Sequence, residues 1–222
     1  ESGKMELEYT PIQLNRIFDE MKVIFSQKIA EKNLKLYLEI NEKVPSHLLL
    51  DEMRLRQILL NLIGNSIKFT DTGYIKVTAK VRPSSMVEDT FNLTIQVEDT
   101  GMGIPKKDHE RIFEAFSQRE GQDHNRYGGT GLGLAIVRKM IQLMNGEISL
   151  ESEEDKGTIF HLRFENIAVA KDVNILNEED SFIENKKSIQ FEPATILIVD
   201  DILLNRQLLI KFLDNYPELK IL

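Results

Sequence analysis

Apolar residues follow two different repeats along most of the chain. Positions spaced three or four residues apart predict helices over about 12–31, 51–68, 107–116 and 132–144. Alternating apolar positions predict strands at 5–9, 34–40, 75–81, 91–97, 148–150 and 158–164. The first of these is a weak edge-strand pattern. The chain therefore mixes helices and strands up to about residue 165.

The pattern changes after that point. Residues 166–192 contain no glycine or proline and lose the apolar repeat, so we interpret them as a linker. Residues Thr195–Val199 then form a short continuous apolar run, which is typical of a buried parallel strand. The acidic pair Asp200–Asp201 closes this run, and Leu203–Leu213 has a helical pattern. A second unit therefore begins near residue 193.

Composition and charge exclude several kinds of function. Of 222 residues, 28 are Lys or Arg and 36 are Asp or Glu, giving a net charge of −8. This balance argues against non-specific binding to nucleic acid. The absence of cysteine excludes disulfides, thiolate catalysis and Cys-ligated zinc. No apolar run reaches the ~18 residues of a membrane span, so we expect a cytoplasmic chain without membrane contact.

A narrow polar stripe runs along the predicted helix at 51–68. At 100° per residue, its five members fall within an arc of about 80°: Arg54, Gln57, Asn61, Asn65 and Lys68. A solvated helix edge is one explanation. However, asparagine is unfavourable inside a helix, and two asparagines one turn apart suggest a ligand. Amide oxygens suit Mg²⁺, and an ammonium group suits phosphate.

An acidic residue continues the apolar face of the predicted strand at 91–97. By the two-residue repeat, Asp99 points towards the core, where a carboxylate needs strong partners. A turn residue that caps its own backbone is the alternative. Gly101 and Gly103 follow directly and would let the flat face of another molecule approach the main chain. Asp99 could then accept a hydrogen bond from an exocyclic amine such as that of adenine.

A glycine-rich segment, Tyr127–Leu134, leads into the predicted helix at 132–144. Free amides at a helix N-terminus bind phosphate. The segment matches neither a Walker A loop nor a Rossmann fingerprint, because the spacing and the flanking elements differ. A flexible loop without a ligand is the alternative.

Four segments in this order resemble the N, first glycine, F and second glycine boxes of the ATP-binding domain of sensor histidine kinases. The segments are Asn61–Thr70, Asp99–Ile104, Ile112–Gln118 and Gly129–Ile136. The resemblance covers residues 5–165. It implies the Bergerat fold, an α+β two-layer sandwich in which helices cover one face of a mixed sheet. It also implies ATP and Mg²⁺ as cofactors.

The resemblance assigns a role to individual residues. It implies that Asp99 binds the adenine amino group and that Asn65 ligates Mg²⁺ with Asn61 beside it. Lys68 would face the phosphates or the ribose. Residues 117–128 would form a lid over ATP, anchored by Phe113 and Phe116. The remaining ATP-binding positions implied are Gly101, Gly103, Ile104, Phe116, Arg126, Gly129, Thr130, Gly131, Leu132, Gly133 and Thr158.

Asn61 bears on the choice between kinase and ATPase. ATPases of this superfamily have a glutamate there as general base, and an amide cannot accept that proton. This favours a kinase, while a superfamily ATPase or a nucleotide-switched binding module stays open. The family's phosphoacceptor histidine motif is absent. We therefore expect no catalytic residue, no autophosphorylation and a monomer, with the acceptor histidine on a dimerisation domain of the same protein.

The segment 193–222 resembles the start of a response-regulator receiver domain. Asp200 and Asp201 match the acidic pair that helps to bind Mg²⁺ in an intact receiver domain. The implied order is a remnant of the dimerisation helix at 1–4, the catalytic domain at 5–165, a linker at 166–192 and a truncated α/β receiver fragment. This order resembles part of a hybrid histidine kinase. The expected partners are therefore the dimerisation domain and an intact receiver domain, and a membrane anchor elsewhere in the parent protein is left open.

Overall fold

The computed structural model describes residues 7–114, 132–170, 194–198, 213, 216 and 218–221. The chain divides into two compact units, Glu1–Val173 and Asn174–Leu222. None of the helices in the described part has the length and hydrophobicity that a bilayer span demands.

The first unit contains three helices and seven strands among its described residues. The helices are α1 (Leu14–Glu31), α2 (Glu52–Phe69) and α3 (Gly133–Leu143). The strands are β1 (Thr10–Ile12), β2 (Lys35–Ile40), β3 (Leu48–Leu50), β4 (Tyr74–Pro83), β5 (Thr90–Asp99), β6 (Gly146–Glu153) and β7 (Gly157–Ala168). The three long predicted helices are confirmed to within two residues at each end.

Five strands form a mixed sheet in the order β2-β4-β5-β7-β6. The β2–β4 pair is parallel, and the other three pairs are antiparallel. One face carries the buried apolar positions predicted from alternation, such as Ile75, Val77 and Val97, which are 0% exposed. The helices pack on this face, so the predicted mixed sheet with helices is confirmed.

Helix α2 is the central element of the helical layer. Its N-cap is the buried Asp51, whose Oδ1 accepts a hydrogen bond from the Arg54 N–H at 2.9 Å. The core-facing side of α2 includes Leu55, Ile58 and Leu62, all fully buried. Each such side chain stabilises the fold by roughly 1.5–3 kcal/mol. This burial fixes the direction of the polar stripe on the same helix.

The structure differs from the sequence prediction at three places in this unit. The described residues 7–9 are not in a strand. The first strand lies at Thr10–Ile12 and pairs with β3, which has too few residues to show alternation. Two 3₁₀ turns, Lys106–Asp108 and Arg111–Phe113, replace the start of the helix expected over 107–116. Within the described residues 107–114, there are too few apolar positions to form one face of an amphipathic helix.

The third difference concerns the end of the unit. Strand β7 continues to Ala168, three residues beyond the expected boundary, and Val169 bridges to Leu48. Ile167 is only 6% exposed and lies opposite Phe91 of β5. Residues 166–168 therefore belong to the sheet and not to the linker, because Ile167 supplies another apolar position to the core.

In the second unit, the described residues form one pair of strands. Strand β8 (Ala194–Ile196) lies parallel to β9 (Leu219–Ile221). The predicted pair Asp200 and Asp201 lies outside the described residues.

Candidate functional site

The site is built where α2, the end of β5, the start of α3 and the β6–β7 turn meet. Asp99 lies at the end of β5 directly opposite Thr158 of β7. The Asn65 Nδ2 donates to the Asn61 Oδ1 at 3.0 Å. The start of α3 packs against the same asparagine, through Gly133. The structure therefore brings Asp99 together with Thr158, and Asn61 together with Gly133, although the members of each pair are distant in sequence.

The Asp99 carboxylate is buried and held from two sides. The Ser66 hydroxyl donates to its Oδ2 at 2.9 Å, and the Gly101 N–H donates to its Oδ1 at 3.0 Å. Burial raises the pKa of Asp99 above 3.8, and hydrogen bonds from Gly101, Ser66 and the Thr158 backbone lower it in part. Each carboxylate oxygen can accept more than one hydrogen bond, so Asp99 retains capacity for a donor on a ligand.

The glycines after Asp99 are required by the protein's own packing. A Cβ on Gly101 would lie 2.6 Å from the Phe69 carbonyl oxygen and 3.0 Å from the Asp99 Oδ1. Gly103 has a φ of +65°, and its Cβ would lie 1.9 Å from the Glu153 carbonyl oxygen. The side on which a Cβ would stand is thus occupied by the protein at these two positions, and the contact of Gly101 and Gly103 with a ligand stays a prediction. The glycines act by letting the loop after β5 sit close to Asp99.

The two asparagines of α2 form the second part of the site. Because Asn65 uses its amide N–H to bind Asn61, its Oδ1 remains as an acceptor or metal ligand. A Cβ on Gly133 would lie 2.6 Å from the Asn61 Nδ2 and 2.9 Å from its Oδ1. The glycine therefore lets the first turn of α3 contact the asparagine pair.

Two serines that the sequence analysis did not single out organise the site. Ser66 binds Asp99, and Ser152 links three segments: its Oγ lies 2.9 Å from the Thr158 Oγ1 and 2.9 Å from the Gly157 carbonyl oxygen, and it accepts the Ile104 N–H at 2.8 Å. Ser152 continues the alternation of Ile148 and Leu150, so it carried the same signal as Asp99. Ser66 is a small polar residue on the buried face of α2, which is a weaker signal.

Of the other predicted residues, the structure describes Lys68 and Phe113 but not those from 115 to 131. Lys68 is half-buried, burial lowers the pKa of its ammonium group, and Nζ lies 4.9 Å from the Phe69 ring centroid. Phe113 packs edge-on against Phe160 at 6.3 Å between centroids, and the Arg138 guanidinium lies 5.3 Å from the Phe113 ring. Five predicted residues lie outside the described part: Phe116, Arg126, Gly129, Thr130 and Gly131.

The donor set fits a magnesium nucleotide better than a metal ion alone. Within residues 7–114, 132–170 and the described positions after 193, no group of three or more His, Asp or Glu side chains could hold a metal. The amide oxygen of Asn65 could provide one protein ligand to Mg²⁺. The other ligands of such an ion include phosphate oxygens. The carboxylate of Asp99 is an acceptor of the kind that pairs with an amino group.

The chain belongs to the family described as Histidine kinase-, DNA gyrase B-, and HSP90-like ATPase, whose model matches residues 50–167. The site residues Asn61, Asn65, Asp99 and Thr158 all lie within this range.

The chain is also similar to individual histidine kinases. The chain is 32% identical over 221 residues to the hybrid signal transduction histidine kinase K of Dictyostelium discoideum, covering 97% of this chain and 18% of that protein. It matches the crystal structure of full-length ShkA in complex with AMPPNP, with a TM-score of 0.63 and 26% identity, over 98% of this chain and 41% of the other.

A third match is to an isolated catalytic domain. The nucleotide-free catalytic domain of the histidine kinase ThkA aligns with a TM-score of 0.55 and 30% identity, over 71% of this chain and 95% of the other. The chain spans about a fifth of the length of the curated relatives that it matches first.

Proposed function

We propose that this chain contains the ATP-binding catalytic domain of a hybrid sensor histidine kinase. It would hold Mg²⁺-ATP so that the γ-phosphoryl group passes to a histidine on a dimerisation domain of the same protein. The observation that carries this proposal is the buried Asp99 carboxylate, fixed by Ser66 and Gly101 and open to a further donor. The relationship to a hybrid histidine kinase along 97% of the chain supports it.

Asp99 would select adenine over guanine. Its carboxylate accepts hydrogen bonds only, so it pairs with the exocyclic amino group of adenine and rejects the carbonyl oxygen at that position in guanine. Rejection is strong because a buried carboxylate facing a carbonyl leaves two acceptors unpaired. Thr158 lies beside Asp99 on β7 and is 5% exposed, so it would line the same base pocket.

The phosphates would lie towards α2 and the start of α3. The Asn65 Oδ1 would be one ligand of Mg²⁺, beside phosphate oxygens and water. Lys68 and the N-terminus of α3 at Leu132 and Gly133 would supply positive charge to the phosphates. When bound, Mg²⁺ would neutralise part of the triphosphate charge and help to orient the phosphates. The predicted contacts from Arg126, Gly129, Thr130 and Gly131 belong to the same proposal.

Asn61 favours phosphoryl transfer over hydrolysis. Its amide accepts a hydrogen bond from Asn65 and contacts Gly133, and an amide cannot remove a proton from water. In the proposed transfer, a ring nitrogen of the acceptor histidine forms the bond to Pγ. The bond from Pγ to the β,γ-bridging oxygen breaks, and ADP leaves. The chain positions the nucleotide and supplies no proton in this step.

The second unit supports the hybrid part of the proposal. The parallel pairing of β8 and β9 is the arrangement that a crossover connection produces in an α/β domain. We assign residues 193–222 to the first part of a receiver domain, in which Asp200 and Asp201 would help to bind Mg²⁺. The linker would then begin after residue 170.

A phosphotransfer assay tests the proposal. The chain is mixed with ATP labelled at the γ-phosphate, first alone and then with the separately prepared dimerisation domain of the parent protein. We expect no label on the chain alone, and label on a histidine of the added domain. Steady release of phosphate by the chain alone would instead favour a superfamily ATPase. Nucleotide binding without either reaction would favour a nucleotide-switched binding module.

A further inference from the structure

We propose that Lys32, at the end of α1, is a positioning residue for the nucleotide site. The inference rests on the proposed nucleotide binding and names a residue outside the four sequence boxes. The Lys32 Nζ donates hydrogen bonds to three backbone carbonyl oxygens in and just after the last turn of α2. The acceptors are Ile67 at 2.8 Å, Lys68 at 3.0 Å and Thr70 at 3.1 Å.

This contact satisfies groups that a helix leaves free. The last carbonyls of an α-helix have no partner within the helix, and this end carries partial negative charge. An ammonium group has three N–H donors, and Lys32 directs all three to these oxygens. Its side chain is 33% exposed, and the Asp71 carboxylate lies 3.7 Å from Nζ. Lys32 thus fixes the end of α2 from the neighbouring helix α1.

The end of α2 also packs against the loop that follows Asp99. The Phe69 carbonyl oxygen accepts the Met102 N–H at 3.3 Å and lies 2.6 Å from the Cβ position of Gly101. The Thr70 Oγ1 lies 2.9 Å from that Cβ position. A shift of this turn would therefore move Gly101, whose N–H holds the Asp99 Oδ1.

The same turn carries side chains with proposed ligand contacts. Ser66, which binds the Asp99 Oδ2, precedes the first of the three acceptors by one residue. Asn65 and Lys68 lie within two residues of it. The three carbonyls held by Lys32 therefore belong to the segment that connects the adenine contact to the phosphate contacts. Lys32 acts through this segment, because its hydrogen bonds go to the backbone of α2 and not to Asp99 or Asn65.

Three variants separate this role from general stabilisation. Lys32→Met keeps the length of the side chain and removes its charge and donors. Lys32→Arg keeps the charge and changes the geometry. Lys28→Met is the matched control, because Lys28 is exposed in the last turn of the same helix. Each is titrated with a non-hydrolysable ATP analogue in the presence of Mg²⁺, after circular dichroism has shown that it is folded.

We expect Lys32→Met to weaken binding by about tenfold or more, since several hydrogen bonds to a charged group are lost. Lys32→Arg should bind with intermediate affinity, and Lys28→Met should bind like the unmodified chain. Amide hydrogen exchange in the free protein supplies a second readout. In Lys32→Met, exchange should become faster at Met102 and Gly101 but remain unchanged at Ile95 in the centre of the sheet.

Unchanged affinity in folded Lys32→Met, or equal acceleration at Met102 and Ile95, would overturn the positioning role. If Lys32→Met does not fold, Lys32→Arg decides, because its affinity and its Met102 exchange must change together. Failure of the unmodified chain to bind the analogue would contradict the proposed function itself. The exchange comparison would still show whether Lys32 holds the loop, so the two failures are distinguishable.

Discussion

The hydroxyl of Ser66 donates a hydrogen bond to the Oδ2 of Asp99 at 2.9 Å, which joins α2 to the end of β5. The helix carries the asparagine pair, and the strand carries the carboxylate. One buried contact therefore fixes the distance between the residues proposed for the phosphates and the residue proposed for adenine. This explains how two separate sequence signals form a single site.

Replacing Ser66 by alanine should weaken nucleotide binding. The variant leaves the Asp99 Oδ2 without its protein donor, and a hydrogen bond to a charged group contributes roughly 1.5–3 kcal/mol, or about tenfold to a hundredfold in affinity. Titration with an ATP analogue measures the change. Ser26→Ala is the control, since that hydroxyl is exposed and donates to the Val23 carbonyl oxygen of its own helix. Equal affinity of the two variants would contradict a contribution of Ser66 to nucleotide binding.

The stability of the fold should respond to pH through Asp99. Burial raises the pKa of this carboxyl in the native state above 3.8, so the native state binds the proton more tightly than the unfolded state. The contribution of Asp99 to the free energy of unfolding therefore falls as pH rises from 3.8 through the raised value, and it is constant above that. Urea unfolding across this range measures the slope.

Asp99→Asn should remove this fall of stability with rising pH. Asp19→Asn serves as the control because the Asp19 side chain is 70% exposed. Its pH profile should match that of the unmodified chain. A profile for Asp99→Asn that is parallel to the unmodified one would show that another group is responsible.

Replacing Ser152 by alanine tests the link between the loop after β5 and the β6–β7 turn. The variant removes the acceptor of the Ile104 N–H and the partner of the Thr158 hydroxyl. Leaving such groups unpaired costs about 1–3 kcal/mol, so we expect affinity for the ATP analogue to fall by several-fold or more. Ser149→Ala, on the opposite face of the same strand, should have no effect. A loss of affinity in both variants would point to a general effect on β6.

Replacing Gly133 by alanine should disturb the phosphate end of the site. The added Cβ would lie within 3 Å of both polar atoms of the Asn61 amide, so the asparagine or the first turn of α3 must move. We expect weaker binding of the Mg²⁺ complex of the analogue.

Gly64→Ala is the matched control for this variant. Its Cβ would meet only the Phe25 ring at 3.9 Å, an ordinary contact. Alanine is favoured over glycine inside a helix by roughly 0.8–1.0 kcal/mol, so this variant should bind normally and unfold at a higher urea concentration. Normal binding by Gly133→Ala would contradict the proposed role of the Asn61 contact.

The sequence predicted the parts of the site that lie on long regular elements. Asp99, Asn61 and Asn65 could be identified because each is a polar residue within a regular apolar pattern. Ser152 carried the same signal. The close packing of Gly101 against the Phe69 carbonyl oxygen was not predicted, because Phe69 lies on another element.

Long-range contacts explain what the pattern could not predict. Lys32 binds carbonyl oxygens 35 to 38 residues away. Every residue has a backbone carbonyl, so the sequence pattern cannot identify these acceptors. Strand β3 has three residues. Its partner β1 lies 36 to 40 residues earlier in the chain, with Thr10 opposite Leu50 and Ile12 opposite Leu48. Such short strands form because the surrounding core buries them, and not because of local preference.

The most direct test of the account is a calorimetric titration of the chain with a non-hydrolysable ATP analogue, with and without Mg²⁺. Burial of the Asp99 carboxylate between Ser66 and Gly101 predicts saturable one-to-one binding that Mg²⁺ tightens. Asp99→Asn should lose most of this affinity, because its amide N–H would face the adenine amino group. Absence of saturable binding at millimolar analogue, or normal binding by Asp99→Asn, would contradict the assignment of this site to ATP.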